Sequence, residues 1–438
     1  MNEPSIKVGI LSAPVITLEF IDPFVADGET CTGIRRFELS PDGKVLCDGI
    51  ARESVEFVPA TKGNVFEIKD VVIGVNFHWE RKENQRFVGG ARVIVEGDKL
   101  TVINVVPVED YLLSVISSEM SAHASLELLK AHAVISRSWL LAQIDKNIKI
   151  AGSGETYNAC TETDDERVKW YDREDHVNFD VCADDHCQRY QGVTRQSTAK
   201  VAEAIAATRG LVLTYDGELC DARFSKCCGG VFEQFEYCWE PKHFHYLGAR
   251  LDDADENNYP NLREETLARK WILSRPDAFC NTSDPEILSQ VLNNYDQETT
   301  DFYRWTVEYS RQEISELAAR RSGIDFGEIV DMIPVERGTS GRLTRLKIVG
   351  TKRTMTIGKE LEIRKTLSPS HLYSSAFVVE KKPADASGMP AGFVLHGAGW
   401  GHGVGLCQIG AAVMGARGYD FRAILAHYFI DSTLEKKY

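Results

Sequence analysis

Between residue 6 and about residue 105, apolar-rich stretches at 6–11, 71–77 and 91–95 are separated by turn signals, Pro41-Asp42-Gly43 and Gly97-Asp98. That spacing predicts a β-rich N-terminal domain over residues 1–100. The apolar period then lengthens to that of helices, predicting two in succession at about 107–120 and 126–146. Pro107 and the acidic pair Glu109-Asp110 suit the opening turn of the first, and Ser125 suits the N-cap of the second. Residues 151–192 are polar and weakly periodic, a helix is expected at 198–208 before Gly210, and strand character returns at 211–215. Residues 252–300 are charged and irregular. Strand and helix patterns then alternate through 304–308, 313–321, 343–349 and 377–380. A Gly-rich turn, a helix at about 408–417 closed by Gly418, and another after Asp420 complete the chain. The expected class is α+β, with a core over 101–250, a mixed segment over 251–390, and residues 391–438 returning to complete the core.

Two positions break the helical pattern. In the first helix, Leu112, Val115, Ile116 and Glu119 fall at i, i+3, i+4 and i+7, which sets a carboxyl on an apolar stripe. Desolvation there would favour the protonated form that a general acid needs. A turn outward at the helix end is the bland alternative. In the second helix, Leu126, Leu129, Ala133, Arg137 and Leu140 place a guanidinium among apolar neighbours, so Arg137 requires a partner. Glu119 across the helix hairpin, a bound sugar and charge developing in a reaction are its candidate partners.

Composition narrows the function. The chain has 438 residues, 43% hydrophobic and 26% charged, which is enough for several cored domains. Its net charge of -15 and lack of basic clusters argue against nucleic acid as a partner. No run reaches the length of a membrane-spanning helix, and Met1-Asn2-Glu3-Pro4 lacks the basic and apolar regions of a signal peptide. An exported precursor already trimmed and a cytoplasmic product both fit that opening.

The 11 cysteines cannot all pair with one another, and they cluster. Cys220, Cys227, Cys228 and Cys238 crowd one stretch. In another, His176, Cys182, His186 and Cys187 offer two imidazoles and two thiols, a full tetrahedral zinc shell from one loop. A closed four-ligand shell leaves no position for water, so such an ion would be structural; a Cys182–Cys187 disulfide is the alternative. Near the C-terminus Gly397, Gly399, Gly401, Gly403 and Gly405 alternate with Ala398, Trp400, His402 and Val404. The pattern admits close approach of another surface. Trp400 could stack on a sugar ring with His402 donating a hydrogen bond, or the segment could be a buried strand.

Several motifs together resemble the SpoIID/LytB family of sporulation and cell-wall proteins. They are Val108-Glu109-Asp110-Tyr111-Leu112, Ser118-Glu119-Met120, Leu129-Lys130-Ala131-His132-Ala133 through Arg137, Phe224-Ser225-Lys226-Cys227-Cys228-Gly229-Gly230, Ser340-Gly341-Arg342, Gly399-Trp400-Gly401-His402-Gly403-Val404-Gly405 with Gln408, Gly410 and Ala411, and His427-Tyr428-Phe429. They span roughly residues 100–438. The resemblance implies a SpoIID-like catalytic core and a peptidoglycan lytic transglycosylase in which Glu119 is the acid/base. It also implies Arg137 in the active site, Ser225, Lys226, Trp400 and His402 toward substrate, and a structural zinc on His176, Cys182, His186 and Cys187. Glycan strands, including those that lack stem peptides, would be the substrate, in the cell envelope or periplasm. A non-catalytic enhancer of a cell-wall amidase is the family's other role. Ser121 stands where the family commonly has proline, and Cys227-Cys228 replaces small polar residues.

Overall fold

The computed structural model describes residues 2–73, 81–121, 124–153, 159–171, 176–184, 186–194, 198–255, 258–291 and 300–438. The N-terminal region is built from strands β1 (Ser5–Ala13), β2 (Val15–Ala26), β3 (Glu29–Leu39), β4 (Val45–Cys47), β5 (Ile50–Arg52), β6 (Ser54–Pro59), β7 (Val65–Ile73), β8 (Arg81–Val88), β9 (Gly90–Glu96) and β10 (Lys99–Pro107). The expected apolar stretch at 71–77 is seen as the end of β7, and its residues 74–77 lie outside the described residues. Alternation sets the register: on β2, Ile16, Leu18, Phe20 and Phe24 turn inward. Their rings meet Phe57 and Phe66, with Phe20–Phe57 centroids 4.4 Å apart and Phe24–Phe66 edge-on at 5.7 Å. β10 pairs antiparallel with both β1 and β9 and runs without a loop into the first helix.

Helices α1 (Val108–Glu119) and α2 (Leu126–Ser153) follow. The Glu109 N–H at the start of α1 donates to the Glu3 carboxylate, so a side chain from the chain start caps this helix. Ser125 caps α2 as its sequence suggests, its hydroxyl accepting from Leu128 N–H at 3.3 Å. The segment expected to be loop contributes β11 (Cys160–Glu162), β12 (Glu166–Lys169) and β13 (Val181–Cys182). Then come α3 (Ala199–Ala207), capped by the Thr198 hydroxyl, β14 (Leu211–Tyr215), β15 (Glu218–Leu219) and β16 (Phe224–Ser225).

The stretch read as irregular holds two short helices, α4 (Glu265–Leu273) and α5 (Pro285–Val291). Beyond it are β17 (Arg304–Ser310), α6 (Arg311–Ser322), β18 (Ile329–Arg337), β19 (Leu343–Gly350), β20 (Thr354–Gly358), α7 (Glu360–Thr366), β21 (Phe377–Lys381) and β22 (Gly392–Ala398). The chain ends in β23 (Leu406–Cys407), α8 (Gln408–Ala416), α9 (Phe421–Tyr428) and β24 (Thr433–Lys436), with Asp420 capping α9. The fold is therefore α+β with a β-rich N-terminal region.

Burial groups these elements around two main cores. The larger joins the N-terminal sheet to α1, α2, α8 and α9, from Ile6 through Val115 and Leu140 to Phe429. The second lies between α6, α7 and the sheets β12-β20-β19-β18 and β17-β22-β21. Two strand pairings tie the ends of the chain to its interior segments. β13 adds to the free edge of β1 in parallel, and β24 pairs with β14. No described helix is long and apolar enough to cross a membrane.

Candidate functional site

The α1 stripe is as the sequence implies. Leu112, Val115 and Ile116 are fully buried, and Glu119, the last residue of the helix, remains half-exposed at the edge of the core. Met120 turns extended and ends the helix. One Glu119 carboxylate oxygen accepts a long 3.4 Å hydrogen bond from the Arg189 N–H. Met120 lies against Gln408, at the start of α8, with 3.8 Å between amide nitrogen and sulfur. Gln408 reaches His132 at 3.1 Å, and His132 reaches Ser136 at 3.2 Å. This polar chain runs from the end of α1 through the core. Complete burial, helped by the charge of Lys226, pushes the His132 imidazole down to about 3, so it is a neutral core residue.

Arg137 does not pair with Glu119, and that expectation is corrected. Its fully buried guanidinium makes a bidentate pair with Glu109, Nε to Oε1 at 3.0 Å and Nη2 to Oε2 at 2.7 Å. Nη1 donates to the Leu211 carbonyl at 2.9 Å. Glu109 Oε1 also accepts from the Gly210 N–H and the Tyr438 hydroxyl. The pair thus clamps the start of α1 to α2, β14 and the last residue of the chain. The sequence does contain the signal, since Glu109 lies in the same helix, but its acidic first-turn position has an ordinary explanation.

His176, Cys182, His186 and Cys187 converge, with their donor atoms all within 4.8 Å of one another. Cys187 Sγ lies 3.4 Å from His176 Nε2 and 3.4 Å from His186 Nδ1, and Cys182 Sγ lies 4.0 Å from His186 Nδ1. The Cys187 thiol, with the two imidazoles, holds the Cys182 thiol down to about 2. These cysteines are free rather than joined in the alternative disulfide. The loop is anchored on β1, where Lys7 N–H donates to Asp180 and Ala183 N–H donates to the Gly9 carbonyl. From Cys187 the chain runs directly to Gln188, which touches Tyr111, and to Arg189, whose N–H faces Glu119. Tyr190 stacks on Tyr111 at 4.9 Å.

The Gly-rich segment is a buried strand only at Gly397 and Ala398. Gly397 lies in β22, where a Cβ would fall 2.1 Å from the Trp305 ring. Gly399, Gly401, Gly403 and Gly405 all take positive φ and form a tight turn. The close-approaching surface is the protein itself. A Cβ on Gly403 would meet the Arg342 guanidinium at 2.5 Å, and one on Gly405 the Arg223 carbonyl at 2.1 Å. Arg342, fully buried, donates to the carbonyls of Gly401 and Cys228. It is a keystone that the Ser340-Gly341-Arg342 motif signalled without revealing its role.

Trp400 is half-buried, stacked on Phe302 at 4.7 Å and edge-on to Tyr373. Its backbone bridges to Cys227. His402 packs its ring against Trp239 and Tyr171. Its Nδ1 accepts from Val404 N–H, and a further hydrogen bond joins it to the Phe224 backbone. Burial, then the nearby guanidinium groups led by Arg223, hold it well below the usual histidine range. Ser225 is buried beside Gly401. Lys226 donates to the Val291 carbonyl at 2.7 Å. Val291 ends α5, and the preceding residue, Gln290, receives the N–H groups of Ser121 and Ser125. The structure therefore gathers Glu119, Met120, Lys226, Gln408 and the end of α5 into one neighbourhood. Trp400 adjoins it through Cys227, and Arg137 belongs to the separate clamp.

Residues 96–215, from β9 through β14, match the family model described as Stage II sporulation protein, SpoIID. Residues 233–405 match a domain of unknown function, DUF8618. An uncharacterized protein of Brachyspira hyodysenteriae is 24% identical over 370 residues, covering 84% of this chain and 75% of that protein. The amidase enhancer of Bacillus subtilis is 23% identical over 339 residues, 74% of this chain but 40% of the enhancer. Stage II sporulation protein D of Bacillus amyloliquefaciens is 22% identical over 327 residues, covering 74% of this chain and 73% of its own. The chain thus carries a SpoIID-type region, and most of its length is similar to a stage II sporulation protein D and to an amidase enhancer.

Proposed function

We propose that this protein works on the cell wall as a lytic transglycosylase, cleaving peptidoglycan glycan strands between N-acetylmuramic acid and N-acetylglucosamine with Glu119 as its acid and base. The supporting observation is the setting of Glu119, a carboxyl that ends an apolar helical stripe while keeping an exposed side. In the reaction the protonated Glu119 gives its proton to the glycosidic oxygen as the bond from C1 breaks. The resulting carboxylate then takes the proton of the muramic C6 hydroxyl, whose oxygen closes onto C1 as the anhydro ring. One carboxyl serves both steps, whereas ordinary glycoside hydrolysis requires two. Lys226, which donates to the end of α5, and Trp400, whose backbone bridges to the neighbouring Cys227, are assigned to the strand. Ser225 and His402 are assigned to the same substrate side, and Arg137 acts through the position of α1.

The set of two imidazoles and two thiols fits zinc, and His176, Cys182, His186 and Cys187 would hold it. With all four positions filled by protein, the ion supplies a structural tie. Its effect on chemistry is then indirect, through the Arg189 N–H aimed at Glu119. The substrate places the working protein in the cell envelope or periplasm. Incubation with glycan strands stripped of stem peptides tests the reading, with anhydromuramic ends as the product to detect by mass spectrometry.

The similarity to an amidase enhancer favours one other reading, a module that binds glycan and stimulates a partner amidase without cutting. That reading expects saturable strand binding, no product, and binding unchanged in Glu119→Gln.

A further inference from the structure

Apart from the His/Cys loop, a second set of donors meets deep in the larger core. Cys228 follows β16, Cys407 ends β23, Asp252 lies in the loop beyond residue 251, and Cys280 precedes α5. All four are buried, Asp252, Cys280 and Cys407 completely. Their three sulfurs and one carboxylate oxygen lie within 4.8 Å of one another, with Cys228 Sγ 3.5 Å from Cys280 Sγ and 3.4 Å from Asp252 Oδ2. Only Cys228 belongs to the stretch where cysteines crowd in sequence.

An apolar cysteine core does not account for Asp252, because a carboxyl without water needs compensation. The surrounding groups supply the hydrogen bonds that an anionic donor set requires. Cys228 N–H donates to Cys407 Sγ at 3.2 Å, and Cys280 N–H donates to Asp252 Oδ2 at 3.1 Å. The far oxygen of Asp252 accepts from the Tyr428 hydroxyl at 2.9 Å and lies 3.4 Å from His427 Nε2. Such outer hydrogen bonds orient a ligating carboxylate. The space is kept for these groups, since a Cβ on Gly410 would fall 2.3 Å from the Tyr428 hydroxyl and 2.6 Å from Asp252.

We propose that Cys228, Asp252, Cys280 and Cys407 bind a second zinc ion, in a closed site of three thiolates and one carboxylate. Zinc–sulfur bonds of about 2.3 Å put tetrahedral sulfurs roughly 3.8 Å apart, close to the spacing seen. Donors this close enclose one ion and leave no room for a cluster with its own sulfides. Four protein ligands again make the role structural. Bound there, the ion ties the segment carrying Lys226 to the end of the Gly-rich turn and to the loop that leads into α5. It holds the floor beneath the neighbourhood of Glu119 independently of whether glycan is cut.

The test is zinc content by elemental analysis in purified full-length protein whose loop ligands are removed, His176→Ala with Cys187→Ser. One zinc per chain is expected to remain, and adding Cys280→Ser should abolish it. Should the loop variant fail to fold, X-ray absorption of the zinc-loaded wild type decides the matter, with an average of more than two sulfurs per zinc expected. Absence of zinc from the folded loop variant, a Cys228–Cys280 disulfide found by peptide mapping, or an average of two sulfurs or fewer would each overturn the site.

Discussion

At the scale of single residues, the Arg137–Glu109 pair is the sharpest test of how the helices are held. Removing one partner leaves a buried charge uncompensated, which typically costs about 3–5 kcal/mol. Arg137→Met should therefore lower the unfolding free energy measured in urea by an amount of that size, and adding Glu109→Leu should recover part of it. A single variant within about 1 kcal/mol of wild type would show that the clamp is not what holds α1. Glycan cleavage in Arg137→Met should fall in step with the folded fraction. His132 makes a pH prediction. Its pKa is about 3 when folded, against about 6.5 when unfolded, so the unfolded chain binds its proton first. The stability tied to its neutral form is complete above pH 6.5 and is lost as pH falls toward 3, at up to roughly 1.4 kcal/mol per unit. His402 contributes in the same direction. Denaturation midpoints followed from pH 7 to pH 4 should show a shallower slope in His132→Gln than in wild type. The awkward placement of Glu119 and Arg137 was legible in their stripes. The partner of Arg137 was not, because helical periodicity says which face a residue lies on and nothing about which of two nearby carboxylates bends toward it.

Among the elements, the loop from His176 to Tyr190 joins three things, the edge of β1, the four converging donor side chains and the end of α1. Removing the zinc proposed for it should free that joint without melting either neighbour. Hydrogen exchange after chelation is expected to show faster exchange at residues 180–191, and little change in β2 or β9. Equal acceleration in those strands would mean that the loop's metal supports the whole region. The long periodic elements of this core, α1, α2, α3 and β14, could be read from sequence to within a few residues, apart from the C-terminal extension of α2 to Ser153. The short strands β11 and β12 could not, since their four or fewer residues carry no measurable period and they exist by pairing, β11 with β12 and β12 with the distant β20. The Gly-rich turn announced a close approach, and only the fold reveals Arg342 as the group approached.

For the whole molecule, the N-terminal sheet and the helices carrying Glu119 share one apolar core, and β10 passes into α1 without a loop. The two should therefore unfold together. A chain beginning at Val108 would expose the buried faces of α1 and α2 and is expected to aggregate or to lack a cooperative transition in calorimetry. A well-folded shortened chain would show that the sheet is an appended module. The measurement closest to the central claim compares wild type and Glu119→Gln on denuded glycan strands, with anhydromuramic products counted by mass spectrometry and folding checked by circular dichroism. The account predicts products from the wild type and at least a hundredfold fewer from an equally folded Glu119→Gln. Equal product from both, or none from the wild type despite saturable binding, would contradict it.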